Sequence, residues 1–130
     1  MKGPILALGL IVLISTSSGC RQHIDINDYI NQKLSLELKI GNQLKHKDSI
    51  QVNSNKYIKL IEWGKKNTNG WHLTPVSYIA EIYVGQRNFR LLYTSGTKGV
   101  VIGFTDKKGN SKQYSKTTKK GELDFLKERE

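Results

Sequence analysis

The chain has 130 residues, of which 37% are hydrophobic and 25% charged: enough for one folded domain, and outside the range of a disordered chain. The formal net charge is +10, and the single cysteine, Cys20, excludes an internal disulfide. A basic surface seeks nucleic acid in the cytoplasm, and anionic headgroups, acidic glycans or an acidic protein outside it.

Lys2 puts a positive charge near the amino end, and residues 5–14 follow without a polar side chain. A helix of that length rises about 15 Å, half of a hydrocarbon core. It is too short for a permanent anchor and suits the apolar region of a signal peptide. Small residues then lead to Cys20. This order, with Ser18-Gly19-Cys20 at its end, resembles the lipobox signal of bacterial lipoproteins. Ser17 stands where that pattern usually has an aliphatic residue. The resemblance covers residues 1–20 only. It implies diacylglycerol on the Cys20 thiol, cleavage after Gly19 and often acylation of the new amino terminus. With Arg21 in place of the Asp that retains such proteins in the inner membrane, it implies the outer membrane, periplasmic side, in a Gram-negative host. Each buried methylene adds ~0.8 kcal/mol, so two or three acyl chains hold firmly where one does not. The leader's only charge is Lys2, so residues 20–130 keep +9 of the +10.

Residues 21–31 have no clear period, so residues 20–31 are expected to be a short tether and 32–130 the domain. Leu34, Leu36, Leu38 and Ile40 alternate with polar residues, the pattern of a half-buried strand. Gly41-Asn42 breaks it, and residues 50–52 suggest a second short strand. Asn53 or Ser54 suits a helix cap, and Tyr57, Leu60, Ile61 and Gly64 recur at helical spacing, which predicts a helix over 54–66. Asn67 to Gly70 is turn chemistry. From there the chain reads as a meander. Tyr78, Ala80, Ile82 and Val84 share one side; residues 85–88 turn; Phe89, Leu91 and Tyr93 follow; residues 95–99 turn. Val100, Ile102 and Phe104 come next, then a hairpin loop at 106–110, then Lys112, Tyr114 and Lys116. Thr118 is placed to cap a short final helix holding Leu123, Phe125 and Leu126. The pattern predicts an α+β fold: an antiparallel sheet of about five strands, one main helix and a short C-terminal helix.

His23, His46 and His72 are the only histidines and are not spaced as a metal pair. No nucleophile elbow and no phosphate loop appears. The sequence therefore predicts neither a catalytic set nor a metal nor a cofactor. Trp71 and His72, beside a turn and ahead of Pro75, are candidate partner contacts; the alternative is that Trp63 and Trp71 close the core over the helix end. Lys107, Lys108, Lys112 and Lys116 are the second candidate set, continued by Lys119 and Lys120 and opposed only by Asp106. They suit docking on an acidic protein or anionic lipid, or the guarding of an edge strand. Single-stranded nucleic acid would want interleaved aromatics, and only Tyr114 is present. The expectation is a membrane-anchored, non-enzymatic protein-binding domain, an immunity or inhibitor protein acting on a toxin or hydrolase. The alternative is an envelope accessory that binds anionic lipid or glycan through the lysine edge.

Overall fold

The computed structural model describes residues 22–75, 80–95 and 98–128. The leader, Cys20 and Tyr78 of the expected strand lie outside them. Among the described residues the strands form one antiparallel sheet, ordered β2-β1-β4-β5-β6-β7-β3. They are β1 (Leu34–Ile40), β2 (Gln43–Ile50), β3 (His72–Leu73), β4 (Ile82–Gln86), β5 (Phe89–Tyr93), β6 (Gly99–Thr105) and β7 (Ser111–Thr117). The one α-helix among the described residues, α1 (Asn55–Lys66), lies on one face of the sheet. The fold is α+β, with seven strands instead of about five.

Cross-strand register defines the two faces. Leu36, Val84, Leu91, Ile102 and Tyr114 stand opposite one another in a row across β1, β4, β5, β6 and β7. With Leu34, Ile82, Tyr93 and Val100 they form the floor on which Tyr57, Leu60 and Trp63 of α1 pack. The neighbouring row, Glu37, Tyr83, Leu92, Val101, Ser115 and His72, points to the opposite face. Ala80 joins Leu92 and Val101 there instead of standing beside Ile82, because β4 starts only at Ile82, after a bend at Glu81.

Helix α1 starts where Ser54 Oγ accepts the Tyr57 amide at 3.2 Å. Its last turn carries Lys65 and Lys66, which complement the carbonyl end of the helix dipole. Gly64 is the point of closest approach: a Cβ there would lie 2.6 Å from Ile26 Cγ1. Ile26 is fully buried, so it has nowhere to retreat.

The extra strands are β2 and β3. Strand β2 is exposed along nearly its whole length, and Lys45 is the additional residue of a bulge between the pairs Leu38–His46 and Lys39–Leu44. Bulge and lysines blunt an edge that would otherwise invite pairing. Strand β3 is two residues long and covers part of β7. At the other end of the chain, Gly121 at φ 79° interrupts the expected helix, leaving a 3₁₀ turn at Asp124–Lys127. Leu123 and Leu126 are still fully buried, but Thr118 makes no cap; its buried Oγ1 has no partner among the described residues.

The expected tether is not a tether. Ile24, Ile26 and Ile30 belong to the core, and Ile26–Asp28 is a 3₁₀ turn capped by Asp25. Ile24 and Ile26 are spaced as on a strand and Ile26 and Ile30 as on a helix, so no single period runs through them, yet all three join the core cluster shared by α1 and the sheet. Ile24 lies eight residues before the expected boundary at 32.

Candidate binding surface

The two ends of the sheet differ. At one end Gln22 forms an antiparallel bridge with Trp71, its amide donating to the Trp71 carbonyl at 2.7 Å. The Ile24 amide donates to the Thr68 carbonyl at 2.8 Å. Trp71 is fully buried; its Nε1 donates to the Asn67 carbonyl at 2.8 Å, and its ring meets that of Trp63 edge-on with centroids 6.2 Å apart. A side chain with no exposed surface cannot greet a partner, so Trp71 leaves the set of candidate contacts. His72, the next residue, is exposed on the opposite face, across from Ser115.

The candidate lysines do not form one edge. Lys107 and Lys108 sit exposed in the β6–β7 turn, where Asp106 Oδ1 accepts the Lys108 and Asn110 amides at 3.0 and 2.8 Å. Lys112 is half-buried at the start of β7, opposite Phe104. Lys116 lies near the far end of the strand, where its Nζ donates to the Asn69 carbonyl and braces the loop after α1. That bond makes Lys116 a structural residue, not a free docking charge. Seven residues of extended chain span about 23 Å, so the turn carrying Lys107 and the bridge at Gln22 lie at opposite ends of β7.

At the turn end is a cleft of 710 Å³, lined by Asp28, Tyr29, Gln86, Arg87, Asp106 and Lys107 among others. Gln86 builds its wall by bonding across it, with Nε2 on the Tyr29 carbonyl at 2.7 Å and Oε1 taking the Asn31 amide at 3.3 Å. The Tyr29, Phe104 and Tyr114 rings stack in sequence, at 4.2 and 5.7 Å. Burial, followed by Asp28, Tyr114 and Asp106, pushes the Tyr29 hydroxyl above its ordinary pKa. Arg87 and Tyr29 had no signal in the sequence, because only the fold brings residues 28–32, 86–88 and 105–107 together.

A second arginine stands on the face away from α1. Arg90 on β5 lies between Gly85 and Gly103 in register, and its guanidinium rests over Gly103, where a Cβ would come within 2.9 Å of Nε. Its Nη2 donates to Gln113 Oε1 at 3.1 Å. Glycine in a strand interior marks such close approaches.

The chain matches no family model, and no curated protein or solved structure is similar to it. Among the described residues no group of three or more His, Cys, Asp or Glu is placed to hold a metal ion. One cluster has the look of a serine–lysine pair: Ser95 Oγ donates to Glu81 Oε1 at 2.7 Å and accepts from Lys127 Nζ at 3.2 Å. Lys127 Nζ is also 3.3 Å from Glu81. Burial raises the Glu81 pKa, but the Ser95 hydroxyl and the Lys127 ammonium outweigh it and hold the carboxyl below its ordinary range. A carboxylate that weakly basic does not take a serine proton, so the arrangement suits a clamp between β4, the β5–β6 connection and the C-terminal turn.

A second fastener is testable by pH. Burial, with the bond from Tyr93 Oη to Asp124 Oδ1 at 2.9 Å, pushes Tyr93 up to about 12. The folded value stands above the unfolded one, near 10. The stabilisation is therefore complete below pH ~10 and fades as the pH rises through the folded value. In an alkaline absorbance titration Tyr93 is expected to ionise well above the ordinary tyrosine value, and Asp124→Asn to bring it down. A titration with no late tyrosine would contradict this assignment.

Proposed function

We propose that the chain is a lipid-anchored binding domain of the bacterial envelope, held by Cys20, that captures an acidic protein partner in the manner of an immunity or inhibitor protein. The observation that carries this reading is the cleft end of the sheet. There Arg87 and Lys107 line a 710 Å³ cleft together with Asp28 and Asp106, and the positive excess lies at the turn beside it, where Asp106 Oδ1 is taken by the Lys108 and Asn110 amides and Lys107 and Lys108 are exposed. Among the described residues neither Lys107 nor Lys108 is in an ion pair, so their charges face outward. Basic groups on a rigid sheet end steer an acidic partner and fix its register, while an apolar cleft would favour other ligands. The Tyr29 ring, stacked on Phe104 by one face and only half-buried, supplies the aromatic contact that interfaces favour.

The gene product encoded beside this one is the first partner to test. The reading expects a tight complex with it, and hypersensitivity to it in a strain lacking this protein. Paired reversal, Lys107→Glu with Lys108→Glu, is expected to weaken that complex about tenfold, mostly through the on-rate. Unchanged sensitivity after deletion would overturn the immunity reading.

A further inference from the structure

We propose that the Gln22–Trp71 end of the domain seats directly on an anionic phospholipid surface, which gives the anchored molecule one orientation, with the β6–β7 turn pointing away from the bilayer. The inference rests on the reading of Cys20 as the lipidated residue.

Covalent geometry makes the first argument. Only Arg21 separates Cys20 from Gln22, and two Cα–Cα steps reach at most about 7.6 Å. Gln22 is held on both sides of its bridge, by the 2.7 Å bond to the Trp71 carbonyl and a 3.4 Å bond back from the Trp71 amide. The acyl chains therefore do not hang from a flexible leash. They leave the protein within a few ångströms of one fixed point, and the surface around that point meets the headgroups.

Charge makes the second. Hydrogen bonds gather five exposed lysines at this end of the sheet. Asn67, which follows Lys65 and Lys66 at the end of α1, accepts from Trp71 Nε1. Glu122 Oε1 accepts from Trp63 Nε1 at 3.1 Å and Asn67 Nδ2 at 3.4 Å, while its Oε2 accepts the Lys119 amide at 2.8 Å. The Thr118 amide donates to the Lys98 carbonyl at 2.8 Å. Lys65, Lys66, Lys98, Lys119 and Lys120 are all exposed, and among the described residues none is in an ion pair. Of the acids at this end, Glu122 and Asp124 are occupied by Trp63, Asn67, Lys119 and Tyr93, and Glu62 stands one helix turn before Lys65 and Lys66, which leaves the five lysines in excess. A lysine acts on an anionic leaflet within a Debye length, about 10 Å at 0.1 M salt. The anchor holds this patch at that distance, so a surface too weak to bind from solution binds as an intramolecular step. Lys107 and Lys108 stand a strand's length, about 23 Å, from the same point and stay free for a partner.

Among the described residues every core residue lies within 24–126, all of them in the mature chain from Cys20. That chain would be coupled through the Cys20 thiol to a maleimide phospholipid, in vesicles of phosphatidylcholine alone or with about one-third phosphatidylglycerol. Lysine acetylation would then be read residue by residue by mass spectrometry. On the anionic vesicles Lys65, Lys66, Lys98, Lys119 and Lys120 are expected to react about fivefold more slowly than on the neutral ones, with Lys107 and Lys108 unchanged. Lys119→Glu with Lys120→Glu is expected to abolish the protection of Lys65, Lys66 and Lys98. Equal reactivity on both vesicles, or protection of Lys107 and Lys108 instead, would overturn the proposal. Because the coupling is chemical, failure here is distinct from failure of the lipoprotein reading, which the intact mass of the native protein decides.

Discussion

Trp71→Ala is expected to lower the unfolding free energy by about 3–5 kcal/mol, a large share of what a domain of this size holds. Trp71 has no exposed surface, so the substitution opens a cavity that the surrounding strands and helix close only in part. Three further contacts go with it. The Asn67 carbonyl loses the indole N–H, Trp63 loses its edge-on neighbour, and the bridge that fixes Gln22 loses its support. Trp71→Phe keeps most of the volume and the ring contact and is expected to cost about half as much. Urea unfolding followed by far-ultraviolet circular dichroism reads both. A loss below about 1 kcal/mol for the alanine variant would place Trp71 outside the core and return it to the candidate contacts.

Cys20→Ser is expected to leave the protein without acyl mass and with its leader uncleaved. Serine forms no thioether, so the diacylglycerol is never attached and processing after Gly19 does not follow. Two acyl chains bury some thirty methylenes at ~0.8 kcal/mol each, an attachment that five lysines cannot replace. The measurement is fractionation paired with intact mass. The native chain is expected to carry acyl mass on a terminus at Cys20, and the variant to keep its leader. A native chain with a bare thiol, or one uncleaved at that position, would remove the anchor and with it the compartment argument for the partner.

How much was readable in advance depended on whether a segment's neighbours lie within its own stretch of sequence. Strand β1 and helix α1 were legible because each buries one face at a fixed period: Leu34 and Leu36 for the strand, though its alternation fails at the exposed Ile40, and Tyr57, Leu60 and Gly64 for the helix. The hairpins of β4 to β7 followed from turn chemistry, and Asn88 at φ 69° in the β4–β5 turn is a residue that tolerates that conformation. Strand β2 was not legible beyond its end at Ile50. An exposed edge has no buried face and therefore no alternation, and Lys45 shifts its register midway. Strand β3 is too short for any period. Residues 22–30 read as a linker because the spacing of their isoleucines changes from two to four, so no single period marks the buried face. For the site, residue type was visible and position was not. The lysine series from 107 to 120 looked continuous in sequence, yet β7 carries Lys107 and Lys108 to one end and Lys116 to the other.

The chain order of the sheet also governs when the molecule can condense. Strand β1 finds its inner neighbour only in β4, with Ser35 opposite Gly85, and α1 is locked by residues far downstream: Trp63 by Glu122, Lys56 by the carbonyl of Glu128. Strand β1 pairs locally with β2, but its inner ladder and the contacts that hold α1 wait for these later residues. For a protein threaded through a secretion channel amino end first, that is an advantage. On the export proposed above, the traversing strand would stay slack enough to be pulled through, and the contacts of Glu122 and Glu128 with α1 would close last.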